Sequence, residues 1–528
     1  MIELSVKNLS VANNGELLLK KISFELYTGE IYALVGESGS GKSLTSLAMM
    51  RLLPNTLSIC SGEVKLQEEN LFSLTEQAMQ NVRGSRVAMI FQDALSSLNP
   101  VQTVGQQVKE TLMQHRTLAT ADINKKIIAL FEEVGLPDPE KRLSFYPHQL
   151  SGGQQQRIMI AIALACEPDI LIADEPTTAL DVTLQKQVLE LIVNLAKNRG
   201  LAVLLITHDM GVVKNTANRV GVMYRGEIIE QATTEAFFDS PQERYSQQLI
   251  DSIPDMKHYM ETSINNSPLL KLNDVAVHFP IRKGIWQRVI SHTKAVDGVS
   301  LEIYTGQTLA LVGESGSGKS TMGRAILNLD PITLGKIYFK GYRIDNLNRK
   351  AMLPYRKKIQ VIFQSPYSSM NPRMTAGDII EEGMISLGLG FTAEQRKKRV
   401  LSLLERVRLG ADFRYRYPHQ FSGGQLQRIA IARALAVDPE LIICDEPTSA
   451  LDVSIRAEVL ELLLDLQREF GVSYLFITHD LSIVPHLAHH LAVMQNGKIV
   501  EQGITEHVLT NPKLSYTKAL LASVPHLD

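Results

Sequence analysis

Three cysteines, one tryptophan and a formal net charge of −2 in 528 residues are the first constraints on this chain. Cys60, Cys166 and Cys444 lie far apart, two of them inside apolar runs. That spacing builds neither a disulfide framework nor a paired metal site, and it reads as core thiols in a reducing compartment. Lysine plus arginine (54) nearly match aspartate plus glutamate (56), so no field of one sign draws the chain to nucleic acid or to an acidic surface. No apolar run comes near the roughly 18 residues that spanning a bilayer requires. Met1–Ser10 lacks the charged and apolar regions of a signal peptide. A soluble, cytoplasmic protein of two to four domains is expected.

What the chain does have, it has twice. GESGSGKS occupies Gly36, Glu37, Ser38, Gly39, Ser40, Gly41, Lys42 and Ser43, and recurs letter for letter at Gly313, Glu314, Ser315, Gly316, Ser317, Gly318, Lys319 and Ser320. Both copies fit the phosphate-binding pattern G-x-x-x-x-G-K-[ST]. Each follows an apolar run, Ile31–Val35 or Thr308–Val312, that predicts a buried strand, and a helix-compatible segment follows. The glycines let the loop turn its N–H groups onto an anion, and the helix dipole adds to the attraction. Lys42 and Lys319 would reach the β/γ-phosphates as point charges, while Ser43 and Ser320 would offer a hydroxyl to Mg²⁺.

The loops belong to a longer repeat. SSLNP at Ser96–Pro100 answers SSMNP at Ser368–Pro372, and YPHQ at Tyr146–Gln149 answers Tyr417–Gln420. SGGQ, DEPT, ALDV and ITHD follow in the same order in both halves, at one shared offset. This is a tandem duplication of a nucleotide-binding domain, with a first domain over 1–254, a polar linker over 255–268 and a second domain over 269–528. Each half opens with short alternating strands (Glu3–Val6 with Ile22–Leu26, and Leu269–Leu272 with Val299–Ile303). A polar, proline-broken helical region, about 98–147 and 370–418, reads as an insertion into an α/β sheet.

Asp174 and Glu175 follow the apolar run Ile170–Ala173, as Asp445 and Glu446 follow Leu441–Cys444. A carboxylate ending a strand beside a phosphate loop suits Mg²⁺, a task assigned to Asp174 and Asp445. Glu175 and Glu446 suit a general base that polarises water. The same letters could cap a helix, but the preceding phosphate loop favours catalysis. Ser151, Gly152, Gly153 and Gln154, repeated as Ser422, Gly423, Gly424 and Gln425, open a second helix able to take an anion. A capping serine with flexible glycines describes that geometry equally well without a ligand.

The order phosphate loop, glutamine, SGGQ, Asp-Glu, Asp, His resembles the ABC-type ATPases over nearly the whole chain. The resemblance implies an α/β fold of two tandem ABC-type P-loop NTPase domains, each a RecA-like core with an antiparallel β subdomain and a helical insertion. It implies an ATP hydrolase using ATP and Mg²⁺, in which SGGQ binds the γ-phosphate of ATP held by the opposing domain. Gln92 and Gln364 resemble the Q-loop glutamines that touch Mg²⁺ and the attacking water. Asp181 and Asp452 match the D-loop, and His208 and His479 match the switch histidine that contacts the γ-phosphate. Two composite sites follow. One joins Lys42, Ser43, Gln92, Asp174, Glu175 and His208 to Ser422–Gln425. The other joins Lys319, Ser320, Gln364, Asp445, Glu446 and His479 to Ser151–Gln154. Phe279 is the adenine-stacking candidate in the second half, where the first half aligns Asn13. Phe421 replaces the usual leucine before the second signature, whereas Leu150 keeps it in the first.

Three classes of ABC protein compete. Translation factors of the family carry a long charged linker or an iron–sulfur domain, and DNA-repair relatives carry zinc-ligand pairs or long coiled coils. The short linker and three dispersed cysteines fit neither, so a soluble ATPase of translation or DNA repair is the runner-up. The energy subunit of a transporter fits. YPHQ, FQxxxSSxNP and the tail Tyr-x-x-x-Leu-Leu (Tyr516, Leu520, Leu521, with Tyr245 and Leu249 in the first half) resemble the peptide/nickel importers. FPIRKG at Phe279–Gly284 resembles one of their two usual ATPases, so this chain resembles both joined, as in the microcin C and oligopeptide importers. The resemblance implies two separately encoded transmembrane permease subunits and, through them, a solute-binding protein at the cytoplasmic face of the inner membrane. No nucleic acid and no iron–sulfur cluster are expected. The basic segment Ile281–Val296, which holds the single tryptophan, reads as a solvated hairpin, with contact to lipid or a partner as the alternative.

Overall fold

The computed structural model describes residues 1–91, 97–116, 119–177, 182–251, 259–260, 267–283, 288–449 and 451–522. The chain divides into two compact units, one built on Met1–Ile253 and the other on Pro254–Val524. Most of the linker expected over 255–268 lies outside the described residues.

In the first unit the strands Val87–Ile90, Ile170–Asp174, Ala202–Ile206, Ile31–Val35 and Arg219–Tyr224 lie side by side in that spatial order. All five are parallel, and Glu227–Thr233 closes the edge antiparallel to Arg219–Tyr224. The three central strands are buried at every position, as a parallel sheet covered on both faces must be. Alternation sorts their side chains. Ile170, Ile172, Leu204 and Ile206 pack with Leu4, Val6 and Met49. Leu171, Ala173, Val203 and Leu205 face the core of the helical insertion, around Val108, Phe131, Ile158 and Leu164. The second unit repeats the sheet with Ile359–Ile362, Leu441–Asp445, Ser473–Thr478, Thr308–Val312, His490–Gln495 and Lys498–Ile504.

A four-stranded antiparallel sheet flanks each core sheet, built on the pairs Ile2–Asn13 with Glu16–Tyr27 and Pro268–Lys283 with Arg288–Tyr304. The opening strands are therefore far longer than the sequence pattern predicted. The pairing slips by bulges near Leu9 and Val275, and each slip breaks the strict alternation that marks a strand in sequence. The described part of the basic segment continues the second pair, with Ile281 opposite Ser291 and Lys283 opposite Arg288. Cys166 and Cys444 are core thiols as expected, but Cys60 is exposed, standing on the alternating strand Leu57–Leu66. No helix among the described residues is long and apolar enough to cross a membrane.

Candidate functional site

Three adjacent strands of each core sheet end at the same edge, and each delivers one part of a site, as expected at the carboxyl end of an open α/β sheet. From Ile31–Val35 the chain enters the phosphate loop and then the helix Lys42–Met49. Gly41 caps that helix at φ 108°, and Gly318 caps its counterpart Lys319–Ile326 at φ 107°, a region that glycine enters without strain. Lys42 is buried, and its Nζ donates to the carbonyls of Gly36 at 2.7 Å and Glu37 at 2.8 Å. Lys319 repeats both bonds at the same distances on Gly313 and Glu314. The lysine is thus held over its own loop.

From the neighbouring strands come the acids and the histidine. Ser43 Oγ donates to Asp174 Oδ1 at 3.0 Å, and Ser320 Oγ to Asp445 Oδ1 at 2.8 Å. Burial pushes the Asp174 carboxyl up to about 6; the Ser43 hydrogen bond opposes the shift and the nearby Glu175 charge adds to it. Burial likewise raises Asp445. Glu175 and Glu446 both adopt φ 47°, an uncommon conformation for a side-chain-bearing residue, and each is tied by its N–H to the end of the next strand, at Ile206 or Ile477. His208 Nδ1 lies 3.1 Å from Glu175 Oε1, and in the second unit Gln364 Nε2 donates to Glu446 Oε2 at 2.9 Å. Burial works to raise Glu446, but the hydrogen bond and charge of His479, with Lys319 and Gln364, outweigh it and hold the carboxyl below its ordinary range.

The structure therefore brings together, within each unit, the loop lysine and serine, the Asp-Glu pair and the histidine. Gln92 and Asp181 lie outside the described residues. Asp452 stands at the N-cap of Val453–Phe470. The signature serines Ser151 and Ser422 cap Gly152–Leu164 and Gly423–Leu435, each in a reciprocal capping box with Gln154 or Gln425. Gly153 and Gly424 lie against Leu184 and Ile455 of the following long helix, so neither tolerates a Cβ without displacing that side chain. Phe279 is 41% exposed on its hairpin strand, paired with Thr293; the carbonyl of Ala295, two residues on, lies against Gly318 at the end of the phosphate loop.

Two contributions escaped the sequence reading. Asp209 follows His208 and caps the helix Met210–Thr216 by accepting from the N–H groups of Gly211 and Val212. Asp480 accepts from the Ser482 N–H and pairs with Arg456 at 2.7 Å. Both anchor the histidine's turn, and the repeated ITHD block was the available signal. The tail tyrosines Tyr245 and Tyr516 reach the phosphate loops, a contact that no motif announces.

The chain is similar to known proteins along nearly its whole length. The family model described as ABC transporter matches residues 19–178 and 296–449, more than half of the chain. The model for the oligopeptide/dipeptide transporter C-terminal region matches 229–273 and 500–528. A peptidoglycan transport ATP-binding protein of Agrobacterium fabrum is 46% identical over 99% of this chain and 97% of its own length. A glutathione import ATP-binding protein of Salmonella typhimurium is 45% identical, covering 99% of this chain and 90% of that protein. Among solved structures, a dimeric ATP-binding cassette in a post-hydrolysis state with ADP and Pi is 32% identical, covering 45% of this chain and 98% of that one at a TM-score of 0.41. The runner-up reading, an ATPase of translation or DNA repair, finds no support in these relatives. The chain belongs to the ABC transporter ATP-binding proteins, with two ABC domains and two oligopeptide/dipeptide transporter C-terminal regions, and it is a transport-coupled ATPase.

Proposed function

We propose that this chain powers import of short peptides or peptide-like solutes. The observation that carries the reading is the oligopeptide/dipeptide C-terminal region after each ABC domain. The relatives named for glutathione, a small peptide, and for peptidoglycan, a peptide-bearing polymer, support the same substrate class. Two membrane permease subunits and a solute-binding protein complete the importer. The chain then works at the cytoplasmic face of the inner membrane, held there by the permeases.

In this reading Lys42 and Lys319, held on their loop carbonyls, turn their remaining N–H to the β/γ-phosphates of ATP. The loop N–H groups other than those of Glu37 and Glu314, which bond the tail tyrosines, cradle the anion. Mg²⁺ suits the donors on hand, since a serine hydroxyl and a carboxylate oxygen stand side by side in each unit, and hard oxygen ligands are what that ion prefers. Ser43 with Asp174 and Ser320 with Asp445 would hold it, Gln92 and Gln364 would complete the set, and the ion would neutralise phosphate charge. Glu175 and Glu446 take a proton from the attacking water. His208 and His479 stay within reach of those carboxylates and of the γ-phosphate. Each signature, Ser151–Gln154 or Ser422–Gln425, presents a helix N-terminus to the ATP of the other domain. The domain limits 1–254 and 269–528 belong to the same proposal.

The test is uptake of labelled di- to hexapeptides by a strain lacking this chain, with and without the chain restored together with its permeases, followed by membrane pelleting. ATP-dependent uptake and pelleting that requires the permeases are expected. Restored permeases with no peptide uptake, or a chain that pellets with ribosomes or DNA instead of membranes, would overturn the reading.

A further inference from the structure

Both C-terminal tails begin a helix against a phosphate loop. Tyr245 is the second residue of the helix Arg244–Asp251, and its hydroxyl oxygen accepts from the Glu37 N–H at 3.0 Å. Tyr516 is the second residue of Ser515–Ala522 and accepts from the Glu314 N–H at 3.1 Å. The two contacts span 208 and 202 residues of chain, and they arise separately in the two units. Each tail helix is itself pinned to the core sheet. The Glu230 carboxylate accepts from the N–H groups of Gln242 and Glu243 at 2.8 and 3.1 Å. Glu501 accepts from Lys513 N–H at 2.9 Å and from the Thr517 hydroxyl at 2.6 Å. Leu249 and Leu520 then bury the helix on the sheet.

The Glu37 N–H belongs to the same peptide group as the Gly36 carbonyl, and that carbonyl accepts from Lys42 Nζ at 2.7 Å. The Gly313–Glu314 peptide stands in the same relation to Lys319, again at 2.7 Å. A planar trans peptide aims its C=O and N–H in opposite directions, so its rotation sets both at once. Gly36 at φ 144° and Gly313 at φ 152° have no Cβ to resist that rotation. The tyrosine hydroxyl grips one end of the plane and the lysine the other.

We propose that Tyr245 and Tyr516 are positioning residues for nucleotide binding. Each fixes the plane of the first peptide of its phosphate loop and so seats the loop lysine before ATP arrives. This assigns a task to the region that sets the oligopeptide/dipeptide members apart, and it rests on the phosphate loops being the ATP sites. Because the hydroxyl organises the loop before binding, its loss falls on affinity and leaves turnover at saturation nearly untouched.

The experiment replaces both hydroxyls in the full chain, Tyr245→Phe with Tyr516→Phe, keeping the rings. ATP affinity by equilibrium binding, KM and kcat for ATP, and the nucleotide-free melting temperature are measured beside the parent and beside Lys42→Ala with Lys319→Ala. The tyrosine pair is expected to weaken ATP affinity and raise KM by about three- to tenfold, the worth of one hydrogen bond, with kcat within about twofold and the melting temperature unmoved. Unchanged ATP affinity overturns the inference, even with a lowered melting temperature, since the hydroxyls would then be structural only. If the lysine variant binds ATP as well as the parent does, the loops are not the ATP sites and the inference falls with that assignment. If the lysine variant loses ATP while the tyrosine variant keeps parental affinity, the inference alone fails.

Discussion

His208 Nδ1 stands 3.1 Å from Glu175 Oε1, and His479 Nδ1 stands 3.2 Å from Glu446 Oε1. The histidine stands beside a carboxylate held on a strained turn at the end of its strand, and that carboxylate is the one proposed as general base for water. Glu175→Gln with Glu446→Gln keeps the shape and removes the base. Steady-state ATPase should fall by about 10²–10⁴-fold, while bound ATP is retained in a filter or dialysis assay. Parental turnover in the double variant would take both residues out of that role.

Pairing of the domains can be read from double variants. Ser422→Arg places a bulky cation at the helix N-terminus proposed to meet the ATP held by Lys42. Combined with Lys42→Ala, it should cost little more ATPase activity than either change alone, because both disable one site. Combined with Lys319→Ala, it should abolish turnover. The reverse pattern would mean that each signature serves the loop of its own domain.

The two phosphate loops should differ in their tolerance of a methyl group. At Gly41 an added Cβ meets Leu19 Cδ2 at 2.6 Å and Met223 Cε at 2.9 Å, the ends of flexible side chains. At Gly318 it meets the backbone carbonyl of Ala295, which cannot step aside without moving the hairpin. Both positions also impose a left-handed conformation that costs alanine about 1–2 kcal/mol. Gly318→Ala should therefore lose more of the parent's ATP-binding stoichiometry than Gly41→Ala. Equal losses in equilibrium dialysis would show that the backbone conformation alone decides the effect.

Acid should weaken the second unit through His489. Its buried Nδ1 accepts from the Thr308 N–H at 3.1 Å, and burial holds the imidazole pKa below the ordinary histidine value. As pH falls below about 6.5 the unfolded chain takes up the proton first, so stability present at neutral pH is lost on acidification. His490 shifts in the same direction and adds to the effect. In the first unit Asn218 does the same task without titrating, accepting from the Ile31 N–H at 2.8 Å. His489→Asn should keep the bond and reduce the fall in melting temperature between pH 7.5 and 5.5. An unaltered fall would place the acid sensitivity elsewhere.

Repetition made much of this protein legible in its sequence. Eight identical letters in each half, a preceding apolar run and a shared order of blocks located the phosphate loops, Asp174, Glu175, His208 and their counterparts. Their chemistry depends on residue type close to a strand end, which a short window of sequence contains. The long bulged strands opening each unit were read as short, because a bulge shifts the alternation by one residue and hides the continuation. Asp209 and Asp480 were visible in ITHD, but the N–H groups each accepts from are known only once the turn after it is seen.

By itself the sequence marked the candidates for binding phosphate, attracting a metal and activating water, since those properties travel with the side chains. The fold decided which of them meet. Lys42, Asp174 and His208 lie on segments far apart in the chain, and they share one sheet edge only because the strand order places Ile31–Val35, Ala202–Ile206 and Ile170–Asp174 side by side. Tyr245 carried no hint of its place at the Gly36–Glu37 peptide. That contact exists because Glu230 and Leu249 fix a helix on the sheet, and the hydroxyl of its second residue then reaches the loop.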